Sequence, residues 1–125
     1  MYKTILVKEL VKDGAALLNK LSAQGFPIFA AFWLYLPEPM HWRLVIATPV
    51  VDDKGPILTY TLIQQTLASL GQSDLGLSDI SVVSPQGTDF QELRALIERM
   101  GQMAGPAGEG RIQDVIFEDA YIYKW

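Results

Sequence analysis

The fold is decided by residues 26–51, which read FPIFAAFWLYLPEPMHWRLVIATPVV. Two runs within it, residues 28–36 and 41–48, are rich in the β-branched and aromatic residues typical of strands. Pro37, Glu38 and Pro39 lie between them, and proline can continue neither strand because it fixes φ and has no backbone donor. The stretch therefore predicts a β-hairpin on which the rest of the chain must pack.

The first strand of this hairpin is apolar on both faces, since successive strand residues point to opposite sides of a sheet. One face carries Ile28, Ala30, Phe32, Leu34 and Leu36, and the other carries Phe29, Ala31, Trp33 and Tyr35. Both faces need a cover. We expect either helices on each side, or a helix on one side and a second subunit on the other.

One helix is predicted before the hairpin in the chain and another after it. Residues 4–24 have apolar residues at helical spacing, and Gly25 is a C-terminal stop. A second helix should start with Gly55 as its cap and Pro56 as its first residue, and should end at Gly71. The expected buried stripes are Leu10, Val11, Gly14, Leu17, Leu18 and Leu21 in the first helix, and Ile57, Tyr60, Ile63, Leu67 and Leu70 in the second.

The remaining elements complete an α+β domain. Residues 80–84 predict a short strand parallel to the hairpin, and Thr88 with Gln91 is spaced as a capping box that opens a third helix. Residues 112–125 form β-structure, as one bent strand or two. We predict a single domain over residues 1–125, a mixed four- or five-stranded sheet with three helices in the order α-β-β-α-β-α-β, with a final strand possible.

Composition restricts the function. The net charge of -4 and the pI near 4.8 argue against nucleic-acid binding, which depends on clustered cations. The chain has no cysteine, which excludes disulfides and thiolate metal sites. Its longest apolar run is far shorter than a membrane span needs. We expect a cytoplasmic protein with no membrane contact, no metal and no cofactor.

Four polar residues are the candidates for chemistry. Glu118 and Asp119 interrupt an apolar strand, where burial would raise a carboxyl pKa toward acid–base use. His41 is the one histidine, beside Arg43 on the second hairpin strand. A site around these residues could be closed by the glycine-rich residues 101–110. Adjacent strand residues face opposite ways, however, so structural roles for the two acids are favoured.

The aromatic residues form a second constellation. Trp33, Tyr35, Trp42, Tyr121, Tyr123 and Trp125 all fall on predicted strands. If the hairpin and the C-terminal strand are neighbours, several of these rings share one face, with Arg43 nearby. Exposed tyrosine and tryptophan beside arginine are typical of protein–protein contacts. The alternative is that they are ordinary core residues.

The segment FWLYLPEPMHWRLVIATPVVDDKGP, together with EDAYIY near the C-terminus, resembles segments of short bacterial proteins of no assigned function. The resemblance covers about half of the chain. It implies a bacterial cytosolic setting and adds no site residue.

Two functions are consistent with the sequence. The first is a non-catalytic interaction domain, either a homo-oligomer such as a homodimer or a subunit with a protein partner, that uses Trp33, Tyr35, Trp42, Arg43, Tyr121 and Tyr123. The second is a small enzyme or ligand-binding domain with Glu118, Asp119, His41 and Arg43 around a pocket. We favour the first, because no set of residues fits a known catalytic pattern.

Overall fold

The computed structural model describes residues 8–36, 41–71, 75–103, 116–117 and 120–124. Over these residues the chain forms three α-helices and a five-stranded mixed sheet, so the predicted α+β class and element order are confirmed. The elements are α1 (Lys8–Ala23), β1 (Ala30–Leu36), β2 (His41–Ala47), α2 (Val50–Ser69), β3 (Ile80–Val83), α3 (Thr88–Met103), β4 (Ile116–Phe117) and β5 (Ala120–Lys124).

The hairpin lies in the middle of the sheet, whose strand order is β3-β2-β1-β5-β4. β1 and β2 pair antiparallel from Ala30 opposite Ala47 to Leu36 opposite His41. β3 is parallel to β2, as the strand–helix–strand order predicts, while β5 is antiparallel to β1. Because β1 has a partner strand on each side, it can be covered only from above and below the sheet.

Helices cover both faces of the hairpin, which confirms the first of the two expected arrangements. One buried cluster joins Trp33 and Leu44 to residues of α1 and α2, including Leu21 and Ile63. A second cluster lies on the opposite face and contains Ala30, Phe32, Leu34, Val45, Ala47, Phe90, Ile97 and Ile122. The sheet is thus enclosed between α1 and α2 on one side and α3 on the other.

The predicted alternation fails just before β1. Ile28 packs in the same cluster as Trp33, while Phe29 is 49% exposed and makes an edge-to-face contact with Phe90, whose ring centre is 5.6 Å away. The strand begins only at Ala30. The Phe29 amide still donates to the Ala47 carbonyl oxygen at 2.8 Å, but the chain bends at this residue, so the two-residue period of the strand does not extend to it.

The second helix begins earlier than predicted. α2 starts at Val50, and Gly55 interrupts it with φ 83° and ψ 163°. The extra turn is anchored by Thr48, whose hydroxyl donates to the Pro27 carbonyl oxygen at 2.6 Å and accepts from the Val50 amide at 3.2 Å. The residue expected to cap the helix is therefore a kink within it. Its positive φ suits glycine, which has no Cβ to clash.

The predicted stops of α1 and α2 are confirmed, because Gly25 and Gly71 have positive φ angles just after these helices. α3 begins at Thr88, and there the Gln91 amide donates to the Gly87 carbonyl oxygen at 3.2 Å while its side chain donates to the Pro85 carbonyl oxygen at 3.0 Å. Along α3, Arg94 pairs with Glu98 at 3.0 Å. α3 continues through residue 103, and the remainder of the glycine-rich segment lies outside the described residues.

A close approach joins α1 to the sheet. The indole nitrogen of Trp33 donates to the Tyr123 hydroxyl at 2.8 Å, and that hydroxyl donates to the Val11 carbonyl oxygen in α1 at 2.5 Å. Burial raises the pKa of the Tyr123 hydroxyl well above its ordinary value, so this group stays protonated as a donor. The contact needs Gly14, where an added Cβ would lie 2.5 Å from the Tyr123 oxygen.

We expect Gly14→Ala to lower the free energy of unfolding by up to about 2 kcal/mol, because overpacking costs about 1–3 kcal/mol and the gain in helix propensity is only about 1 kcal/mol. Urea unfolding measures this change. In a Tyr123→Phe background the same substitution should cost less, since the oxygen that it meets is gone. A stabilisation by Gly14→Ala in the parent chain would contradict the contact.

Candidate functional site

The predicted aromatic surface is largely a core. Trp33 is fully buried and Trp42 nearly so, while Tyr35, Tyr121 and Tyr123 are half-buried around them. Tyr35 meets Trp42 edge-to-face with ring centres 5.4 Å apart, and Tyr121 meets Tyr123 in the same way at 5.2 Å. The five rings do share one face of the sheet, as predicted, but α1 and α2 pack on that face. Trp125 lies outside the described residues.

Arg43 is engaged with the edge of the sheet. Its guanidinium donates to the Ser81 hydroxyl at 2.6 Å and to the carbonyl oxygens of Ser78 and Ile80 at 3.1 Å each. From the opposite face of the sheet, the Tyr60 hydroxyl accepts the Val82 amide at 2.9 Å. Side chains from both faces therefore satisfy outward-pointing backbone groups of β3, which blocks this edge as a template for another strand.

The side chains of the other proposed acid–base residues lie outside the part of the structure that is described. His41 is the first residue of β2, but its side chain lies outside the described part of the structure, as do Glu118, Asp119 and residues 104–110. Among the described residues no group of three or more histidine, aspartate or glutamate side chains could hold a metal ion. Within the same ranges, no helix has the length and apolarity that crossing a bilayer requires.

An open groove runs between α3 and the sheet beside Arg43. Its volume is about 480 Å³, and its floor is apolar, formed by Leu34, Val45 and Val83. Both signs of charge occur on its rim, with Asp89 and Glu92 against Arg43 and Arg99. Asp89, Glu92 and Arg99 are exposed residues of α3. Such residues are expected on the solvated side of a surface helix.

The unusual surface is the outer face of α2. Ile57 is 82% exposed and Leu58 is 54% exposed. No charged residue occurs anywhere in residues 56–70, which read PILTYTLIQQTLASL. The charged residues of α2, which are Asp52, Asp53 and Lys54, all precede its kink at Gly55. By contrast, charged side chains are spread along α3, which exposes Asp89, Glu92, Arg94, Glu98 and Arg99. We call the exposed residues Pro56, Ile57, Leu58, Thr61, Gln64, Gln65, Ala68 and Ser69 the α2 face.

The hydroxyl groups of α2 bond to its own backbone. Thr61 donates to the Ile57 carbonyl oxygen at 2.8 Å, and Ser69 donates to the Thr66 carbonyl oxygen at 2.6 Å. On the buried side, Thr59 donates to Gly55 and Thr66 to Leu62 in the same manner. A hydroxyl satisfied in this way can be covered without leaving an unpaired donor. Desolvation of the Thr61 and Ser69 hydroxyls by a partner therefore costs little free energy.

A recess lies beside these exposed residues. It has a volume of about 420 Å³ and is lined by Pro56, Ile57, Tyr60, Thr61, Gln64, Gln65 and Leu77. Most of these residues belong to one side of α2, and Leu77 comes from the short helical turn Leu77–Asp79 before β3. The α2 face thus combines projecting apolar side chains with an adjacent apolar hollow.

Sequence reasoning missed this surface because it assigned Ile57 to the buried stripe of the helix. Ile63 and Leu67 are buried as predicted, but Thr59 and Thr66 complete the buried side and Ile57 does not. Threonine can replace an aliphatic residue there because its hydroxyl bonds back to the helix. The available signal was the absence of charge on every side of residues 56–70, since a helix with one solvated face normally carries ions on that face.

Comparison of the chain with protein-family models, with curated proteins and with solved structures found no match.

We expect Arg43→Met to lower the free energy of unfolding by about 1–3 kcal/mol, because the hydrogen bonds of a charged donor to Ser81, Ser78 and Ile80 are lost. The midpoint of urea unfolding measures the effect. Arg94→Met is the matched control. It removes the same charge from an exposed i,i+4 pair and should change stability by less than about 0.5 kcal/mol. Equal effects of the two substitutions would contradict the role given to Arg43.

Proposed function

We propose that this protein is a non-catalytic interaction domain that binds a protein partner through the α2 face. The observation that carries the proposal is the pair of exposed aliphatic side chains, Ile57 and Leu58, at the start of an α2 segment, residues 56–70, that carries no charge. Depletion of charged residues marks the centre of protein interfaces. Exposed apolar residues that cluster, unlike scattered ones, mark sites of contact.

Energetics favour contact at this face. Fully burying an isoleucine or leucine side chain stabilises a contact by about 1.5–3 kcal/mol. Ile57 and Leu58 are both more than half exposed, so a partner that covers them gains more than half of this free energy at each position. The opposing cost is small, because there is no ion to desolvate in residues 56–70 and the Thr61 hydroxyl keeps its bond to Ile57. The two glutamines can exchange water for hydrogen bonds to a partner.

The contact is placed on α2 rather than on the aromatic sheet face because of burial. Trp33 and Trp42 are shielded from solvent, and a contact residue must be reachable by its partner. The alternative function, a small enzyme or ligand-binding domain with an acidic site around Glu118 and Asp119, draws on one described side chain, Arg43. The Arg43 guanidinium is hydrogen-bonded to Ser81 and Ile80 of β3, which gives it a structural role. A bacterial cytoplasmic setting, expected from the sequence, remains part of the proposal.

We expect Ile57→Lys to abolish binding, since a lysine covered by the partner must lose hydration without a counter-charge. The fold should be unaffected, because the position is exposed and lysine is a better helix former than isoleucine. The measurement is gel filtration of extracts from cells that express the tagged chain at its natural level. The parent chain should elute above its own 13.9 kDa, and Ile57→Lys should elute as the monomer.

Ala95→Lys is the matched control, because it adds the same charge at an exposed alanine of α3. It should elute with the parent chain. If all three chains elute at the monomer position, or if Ile57→Lys remains in the larger species, the proposed function is wrong.

A further inference from the structure

The groove beside α3 has an apolar interior. The sheet residues Leu34, Val45 and Val83 form its floor, and Leu93 and Leu96 of α3 form a wall. Val83, Leu93 and Leu96 are only half-buried, so a bound molecule can cover more of their apolar surface. The volume of about 480 Å³ lies within the range of about 300–1,000 Å³ found for small-molecule sites. The groove is therefore large enough for a small ligand.

The direction of α3 sets the two ends of the groove. The Phe29 amide donates to the carbonyl oxygen of Ala47, the last residue of β2, and the Phe29 ring contacts Phe90 near the start of α3. α3 therefore starts at the Ala47 end of β2. Because it lines the groove as far as Arg99, its later turns lie toward the Arg43 end. The stretch of β2 from Arg43 to Ala47 is about 13 Å long, close to the roughly 15 Å spanned by ten residues of a helix.

Charges of opposite sign lie at opposite ends of this groove. Asp89 and Glu92 are near the start of α3, and Arg99 is seven residues beyond Glu92. None of the three has an oppositely charged residue three or four positions away, whereas Arg94 pairs with Glu98 on the same helix. The helix dipole favours acids near the first turn, which stabilises this order. The groove thus has an acidic end and a basic end, with apolar surface between them.

We propose that the groove binds a short apolar peptide with free termini. Its ammonium group lies at Asp89 and Glu92, and its carboxylate lies at Arg99. A fatty acid or an alkylamine matches only one end of the groove, because each carries a single charge. A peptide carries both charges, and its aliphatic side chains match the apolar surface of Leu93 and Leu96.

The distance between the charged ends sets the length of the peptide. Glu92 and Arg99 are separated by roughly 10 Å along the helix axis, at 1.5 Å per residue. An extended chain spans at most about 3.5 Å per residue, so about three residues reach from one end to the other. The groove and the α2 face are on opposite sides of the sheet. The peptide site is therefore independent of the proposed function.

Titration of the purified, isotopically labelled chain with the tripeptide alanyl-leucyl-alanine, followed by NMR, tests this site. The amide signals of Val45 and Val83 should shift saturably, with a dissociation constant on the order of 0.1–1 mM for a ligand of this size. Acetylation of the peptide's amino terminus and amidation of its carboxyl terminus should each weaken binding about threefold, as expected for loss of an exposed ion pair.

Two substitutions test which terminus lies at which end. Arg99→Met should weaken binding of the free peptide about threefold and leave binding of the amidated peptide unchanged. Glu92→Gln should weaken binding of the free peptide in the same way, but not that of the acetylated peptide. Arg94→Met and Glu98→Gln are the matched controls, because these residues are exposed on α3 outside the groove. Neither control should change a dissociation constant.

If the signals of Val45 and Val83 show no saturable shift up to about 10 mM peptide, the site is overturned. Equal binding of a peptide blocked at both termini would overturn the proposed ligand class. Equal losses in the Arg99→Met and Arg94→Met variants would overturn it as well, because the carboxylate would then have no specific partner at the basic end.

Discussion

Burial of β1 on both faces is the constraint on which the rest of the structure depends. The strand lies between β2 and β5, and Ala30, Ala31, Phe32, Trp33 and Leu34 are all buried. Each face must be covered by helices from elsewhere in the chain, and α1, α2 and α3 supply that cover. The buried indole N–H of Trp33 also needs a hydrogen-bond acceptor, and the hydroxyl of Tyr123 in β5 provides one. Because Gly14 has no side chain, α1 lies close enough for its Val11 carbonyl oxygen to accept a hydrogen bond from the same hydroxyl.

This use of the aromatic residues determines where a partner can bind. Once the two tryptophans are covered, the sheet offers little accessible aromatic surface, and its β3 edge is held by Arg43 and Tyr60. The buried side of α2 is formed by Thr59, Ile63, Thr66 and Leu67. Its opposite side is thereby left with two aliphatic residues and uncharged polar groups. The surface we assign to partner binding is the outer side of the helix that seals the core.

The sequence predicted the hairpin, the two-sided burial of β1 and the α+β order, because these follow from residue types that repeat at strand or helix periods. It did not place Ile28 and Phe29 correctly, since the strand period does not apply before Ala30. It also assigned Ile57 to the core, because hydrophobicity alone ranks isoleucine above Thr59. Thr59 and Thr66 can be buried in its place because their hydroxyls donate to carbonyl oxygens of the same helix. The contacts of Gly14 with Tyr123 and of Arg43 with β3 join residues distant in sequence, and no local pattern indicates them.

The most direct test of the account is hydroxyl-radical footprinting of the purified chain, because it reports the solvent accessibility of individual side chains. Trp33 and Trp42 should be protected, while Ile57 and Leu58 should react freely. Free reaction of the two tryptophans, with Ile57 and Leu58 protected, would contradict the account.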